Sequence, residues 1–173
     1  MVKLLLEFGA DINKHANYSE CWLFGSSKVA PLHFVCGQYG RLELVNLLLD
    51  NDANINQDSD EGSPLQVACA KYQFEVVQLL VERGAKVKQD RGALKAACTT
   101  SQSFMVEYLL KHGADPNIRD KAGLTLLREM QNIERDWVPK EGSGSGEATI
   151  VCEESVIIKL LAQYSVPREG KRG

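Results

Sequence analysis

The chain has 173 residues, long enough for one sizeable core; 44% of them are apolar, 25% are charged, and the net charge is -3. That balance lacks the basic excess by which nucleic acid or an anionic membrane is recognised. No apolar run reaches the roughly 18–20 residues of a membrane span, and the start, MVKLLLEFGADIN, has no small-residue cleavage site.

The five cysteines have no paired C-x-x-C spacing, so neither a disulfide frame nor a zinc knuckle is supported. A reducing compartment, cytoplasm or nucleus, is expected.

In chain order, Val2–Phe8 reads as a short apolar-faced helix stopped by Gly9, a residue suited to the left-handed position after a helix. Between Asn13 and Ala30 lie extra residues that include Tyr18, Cys21, Trp22, Leu23 and Phe24. Large apolar side chains in a loop need a cover. They either cap the preceding helix or form a hydrophobic knob for a partner. From Ala30 the chain reads APLHFVCGQYGRLELVNLLLDNDA, with Pro31 at a first helical position. Leu32, Val35 and Cys36, then Leu42, Leu44, Val45, Leu47, Leu48 and Leu49, give the faces of two helices. The second ends at Asn51-Asp52, where Asp tolerates the left-handed conformation less well than Gly.

After the acidic stretch QDSDEG, Ser63-Pro64 supplies a hydroxyl N-cap followed by Pro. Leu65, Val67, Ala68 and Cys69 form the next helix, and Val76, Val77, Leu79, Leu80 and Val81 the one after it, which Gly84 ends. The connection KVKQDR at Lys86–Arg91 is short, and the following helix, opening at Gly92-Ala93, is expected to lack a side-chain cap. Leu94, Ala97 and Cys98, then Met105, Val106, Tyr108, Leu109 and Leu110, restore the apolar faces before Gly113. A turn at Asp120 and Gly123 leads to TLLREM at Thr125. Residues 131–150, with Trp137, Pro139 and GSGSG at Gly142–Gly146, read as a flexible insertion. Glu153–Tyr164 reads as a delayed helix, and 166–173 as a disordered tail.

These blocks repeat. SPLQVACAKYQFEVVQLLVERGA begins at Ser63, 33 positions after Ala30; GALKAACTTSQSFMVEYLLKHGA begins at Gly92, and TLLREM opens a fourth copy. A period near 33 with a T-P-L-H-x-A-like opening resembles the ankyrin repeat. The resemblance implies an all-α solenoid of helix-turn-helix units joined by β-hairpin-like fingers. It divides residues 1–165 into a partial repeat 1–13, an aromatic insertion 14–29, repeats 30–62, 63–91 and 92–122, and an irregular repeat 123–165. In that frame Leu126 stands where Pro is usual and Arg128 where His is usual. The missing first helix at the N-terminus suggests a stack cut from a longer one, or one covered by the insertion.

No converging catalytic set is visible. Cys36, Cys69 and Cys98 recur at spacings of 33 and 29, the mark of a small apolar side chain in a tight helix contact. The resemblance gives His33 the role of tying finger backbone. His112 suits a helix C-terminus, and His15 has no Cys or Asp partner at a telling spacing. GSGSG lacks the strand and the Lys-Ser/Thr of a phosphate loop. Asp58, Asp60 and Glu61 lack the rest of a calcium loop. No metal, cofactor or enzymatic activity is expected.

The resemblance implies instead a protein or peptide partner bound on a concave face, without nucleic acid or membrane insertion, by a monomer. Its finger positions are Ser59, Asp60, Gly62, Arg91, Lys121, Ala122 and Leu124; its first-helix positions are Gly37, Gln38, Ala70, Lys71, Thr99 and Thr100. The loop side chains Tyr18, Trp22 and Phe24 are a second candidate surface. These positions lie off the apolar stripe, so the fold is not expected to need them. The family also implies a modification: Asn13 and Asn117 sit in the L-x5-D-x-N context of asparaginyl hydroxylation. The alternative is that they stabilise their turns.

Overall fold

The computed structural model describes residues 9–17, 28–39, 41–136 and 145–165. The chain divides into two compact units, 1–86 and 87–173. Nearly all of the regular structure is helical.

Among the described residues, the first unit holds four helices: α1 (Pro31–Cys36), α2 (Leu42–Leu49), α3 (Pro64–Ala70) and α4 (Phe74–Glu82). Each first helix packs on its own second helix, α1 packs on α3, and α2 touches α4. Two copies of the helix pair are thus stacked side by side. Leu32, Val35, Cys36, Val45 and Leu48 from one copy, and Leu65, Val67, Cys69, Val76, Val77 and Leu80 from the next, form a continuous buried core. The two first helices start with nearly the same backbone but different chemistry. Ser63 (φ -76°, ψ 160°) accepts a bond from the Gln66 amide, whereas Ala30 (φ -81°, ψ 162°) has no side chain to offer.

The second helices end alike. Asp52 and Gly84 both adopt positive φ, 64° and 93°. The next amides, of Ala53 and Ala85, return to Leu48 O and Leu80 O at 3.0 Å. This is the hydrogen-bond pattern of a Schellman end, held by glycine in one copy and by Asp in the other.

The insertion leaves and rejoins the stack through a short antiparallel pair, β1 (Ala16–Asn17) and β2 (Lys28–Val29). Sequence periodicity gave no hint of this pair because two residues per strand carry no pattern. The helix expected at Val2–Phe8, the aromatic residues Tyr18–Phe24 and the tail 166–173 lie outside the described residues.

The second unit opens with a 3-10 turn at Val87–Gln89 and continues with α5 (Arg91–Thr99), α6 (Ser103–Lys111), α7 (Leu126–Asp136) and α8 (Ser145–Ser165). Helix α6 packs on α5, and α8 packs on both α6 and α7. Ala93, Leu94, Ala97, Cys98, Met105, Val106, Leu109, Leu126, Met130, Ile157 and Leu161 are buried.

Two expectations are corrected in this unit. Helix α5 begins at Arg91 rather than Gly92 and is capped: the Asp90 carboxylate accepts from the Ala93 amide at 2.9 Å. The short finger winds into the 3-10 turn, which delivers Asp90 to the N-cap position. Residues 131–136 and 145–150, expected within a flexible insertion, are helical. The run EATIVCEE contains helix formers that carry α8 back into the Gly-Ser stretch.

Candidate interaction surfaces

His33 organises the first full finger. It is fully buried, and its Nε2–H donates to Gln57 O at 2.8 Å, with Gly62 O at 3.1 Å. Burial holds its pKa below the usual imidazole value, and the carbonyl bonds only partly offset this. The ring is therefore a neutral strut, as expected from its place in the repeat. Its Nδ1 is buried without a hydrogen-bond partner.

The finger tip closes by a bridge between Ser59 and Gly62. Gly62 has φ 88°, a backbone conformation that strains any residue with a Cβ, so this turn favours glycine. Ser59 Oγ donates to Gly62 O at 2.9 Å, and Asp60 Oδ2 accepts from the Lys28 amide at 2.8 Å. Both side chains therefore hold structure, contrary to the expectation that the fold leaves them unused. Asp60 anchors the returning strand of the insertion, a contact that 32 residues of separation hide from sequence reading.

Of the first-helix positions in this unit, Gln38 and Lys71 are half-buried, beside Tyr39 and Tyr72, which are 75% and 54% exposed. Tyr72 adopts φ 59° in the turn between α3 and α4.

In the second unit Arg91 is not a finger tip. It lies in the first turn of α5, where Nε donates to Ile118 O at 3.1 Å and the guanidinium pairs with Glu129 of α7. Lys95 reaches the other Glu129 oxygen at 3.1 Å. Arg91 and Glu129 side chains are only 16% and 17% exposed, so the pair fastens the irregular fourth copy to the third. Next to it, burial and the Glu129 charge push the Cys98 thiol up to about 12; burial also raises Cys36. Both are unreactive packing groups.

Thr99 and Thr100 hydroxyls donate back to helix carbonyls, Thr100 to Ala96 O at 2.7 Å. Thr99 stays exposed and Thr100 half-buried.

The next finger turns on Asp120. Its Oδ1 accepts from the Ala122 and Leu124 amides, both at 2.8 Å. The Leu124 amide, above all, holds its carboxyl below the usual range. This turn lifts Lys121 and Leu124 into solvent. An exposed leucine close to an exposed lysine is the combination a protein partner can use.

The two asparagines differ. Asn13 Oδ1 accepts from the Asn54 amide at 2.7 Å and its Nδ2 donates to Asp52 O at 3.3 Å. Asn117 is exposed, and its backbone amide donates to Asp115 Oδ1 at 2.9 Å. His112 Nδ1–H donates to Tyr108 O at 2.8 Å at the end of α6. Among the described residues, no group of three or more His, Cys, Asp or Glu could hold a metal ion, and no helix is long and apolar enough to cross a membrane.

Comparison with known proteins adds the lineage. Residues 32–120, about half of the chain, match the model of ankyrin repeats in three copies. Ankyrin repeat and KH domain-containing protein mask-1 of Caenorhabditis elegans is 34% identical over 97 residues, which is 53% of this chain and 4% of that protein. Ankyrin repeat and SOCS box protein 11 of Mus musculus is 32% identical over 102 residues, 57% of this chain and 31% of that protein. The palmitoyltransferase AKR1 of Lachancea kluyveri is 32% identical over 108 residues, 57% of this chain and 14% of the enzyme. The chain therefore spans less than a third of each of these three relatives. With its repeated helix pairs, Schellman-type ends, buried first-helix cysteines and histidine-tied finger, the chain belongs to the ankyrin repeat family.

Proposed function

We propose that the chain is a non-catalytic binding module that takes a partner protein or peptide on its finger and first-helix side chains. Ankyrin repeats as a family mediate protein–protein interaction. The observation that carries the reading is the division of labour among the candidate positions. Ser59, Asp60 and Arg91 are spent on internal bonds, whereas Lys121 and Leu124 are held out by a turn whose own bonds come from Asp120. A rigid tip saves the cost of ordering the contact on binding. The aromatic residues Tyr18, Trp22 and Phe24, which lie outside the described residues, are a second candidate for the same kind of partner.

Affinity capture from cell lysate tests this with three variants that melt like the parent: Lys121→Glu, Leu124→Asp and Trp22→Ala. Loss of a partner with the first two supports the finger, and loss only with Trp22→Ala moves the site to the insertion. Retention in all three variants refutes both surfaces.

A second reading is favoured by the small share of each relative that the chain spans. It is a regulatory or targeting segment of a larger enzyme, channel or ubiquitin-ligase adaptor. Asn117 is the better placed of the two asparagines for hydroxylation, because the Asn13 carboxamide is already bonded on both atoms.

A further inference from the structure

Two imidazoles meet on one glutamine between the 9–17 segment and the first full finger. Gln57 Nε2 donates to Asn13 O at 2.8 Å and lies 2.9 Å from His15 Nε2. A carbonyl can only accept, so the Gln57 atom facing Asn13 must be the amide nitrogen. Its second hydrogen then points at His15, whose Nε2 must be an unprotonated acceptor. The backbone carbonyl of the same Gln57 accepts from His33 Nε2. The two rings sit edge to face, 6.3 Å between centroids. One histidine must accept and the other must donate for Gln57 to be held at both ends.

We propose that His15, Gln57 and His33 form a proton-sensitive latch that seats the 9–17 segment on the first full finger at neutral pH and loosens it on acidification. A proton on His15 sets N–H against N–H. Turning the carboxamide over does not help, because its oxygen would then face Asn13 O. A proton on His33 is opposed by burial of the ring, and with His15 also charged it would bring two cations within 6.3 Å of each other.

Among the described residues, the charged groups around the latch do not rescue it. In the 9–17 segment, Asp11 already accepts from the Asn13 amide, and Lys14, next to His15 in the chain, repels a charged ring. On β2, Lys28 carries the same sign. On the finger, Asp60 accepts from the Lys28 amide, and Asp58 and Glu61 are the carboxylates that would favour protonation. On α1, His33 is neutral and offers a charged His15 no counter-charge.

Release of the 9–17 segment takes with it the Asn13 bonds to the Asn54 amide and Asp52 O. The next repeat supplies an internal control. Asn56 Oδ1 accepts from the Lys86 amide at 2.8 Å, the same bond with no imidazole at the joint.

Residue-resolved hydrogen exchange at pH 7.5 and 5.5, corrected for intrinsic rates, tests the proposal. Protection of the Asn54 amide is expected to fall about tenfold on acidification while that of Lys86 holds. His15→Gln, a neutral acceptor, should keep Asn54 protected at both pH values. His15→Lys, a permanent cation, should leave it weakly protected at both. Nitrogen NMR at pH 7.5 should find the His15 proton on Nδ1. Equal Asn54 protection at both pH values, a fall that persists in His15→Gln, or a proton on Nε2 would each overturn the latch.

Discussion

Ala30 and Ser63 offer a test of how local chemistry sets the strength of each repeat. They occupy the same place before α1 and α3, with φ within 5° and ψ within 2° of one another. Only Ser63 bonds the third amide of its helix, at 3.0 Å. A serine at position 30 would meet the His33 amide in the same way. The position is 1% exposed, so the bond would form out of water, and the added atom is one oxygen. The same hydroxyl would lie near the His33 ring, whose Nδ1 lone pair has no partner.

Capping bonds of this kind contribute about 1 kcal/mol. Ala30→Ser should therefore raise stability by about 1 kcal/mol, and Ser63→Ala should lower it by about as much. Urea unfolding followed by far-ultraviolet dichroism would show opposite midpoint shifts of roughly 0.3–1 M with unchanged slopes. Were Ser63→Ala destabilising and Ala30→Ser neutral or worse, the equivalence of the two starts would be refuted. Packing around residue 30 would then outweigh the cap.

Asp52→Gly should stabilise by about 0.5–1 kcal/mol, because glycine adopts the positive φ of that helix end without strain; a loss in the same urea assay would contradict this. Glu129→Gln should cost about 1–3 kcal/mol by leaving the half-buried Arg91 guanidinium without its counter-charge, and a cost below a few tenths in thermal melts would show that the pair is ornamental. Burial lowers the His33 pKa below its unfolded value of about 6.5, so the unfolded chain takes up protons first. Stability should be full above that value and fall as pH drops below it. His33→Gln should flatten that slope; unfolding midpoints that rise on acidification would reverse the sign. Native Cys36 and Cys98 should resist alkylation until the chain unfolds, which mass mapping of iodoacetamide adducts at pH 8 checks.

Much of the fold was legible because it is local. Helix faces follow from spacing, the Ser63-Pro64 start from its cap, and the helix ends from Asp52, Gly84 and Gly113, all of which take positive φ. The α5 start is less legible. With Gly92-Ala93 in line with the other helix starts, Asp90 falls outside the repeat pattern, although an Asp three residues before the Ala93 amide is itself a cap signal.

The candidate site was less legible because its decisive contacts are distant in sequence. Arg91 and Glu129 are 38 residues apart, and Lys28 and Asp60 are 32 apart. A repeat alignment places each side chain at a position, but it does not say whether an irregular neighbour has already claimed it. His15 is the extreme case: its partner Gln57 is 42 residues away and is an amide, which no ligand-spacing rule would single out.

Amide chemical-shift mapping with the captured partner segment is the most direct test of the binding account. It predicts that the perturbed residues cluster at Thr99, Thr100, Lys121 and Leu124 in the second unit, or at Gln38 and Lys71 in the first. Perturbation confined to the second helices α2, α4 and α6, with those side chains silent, would contradict it.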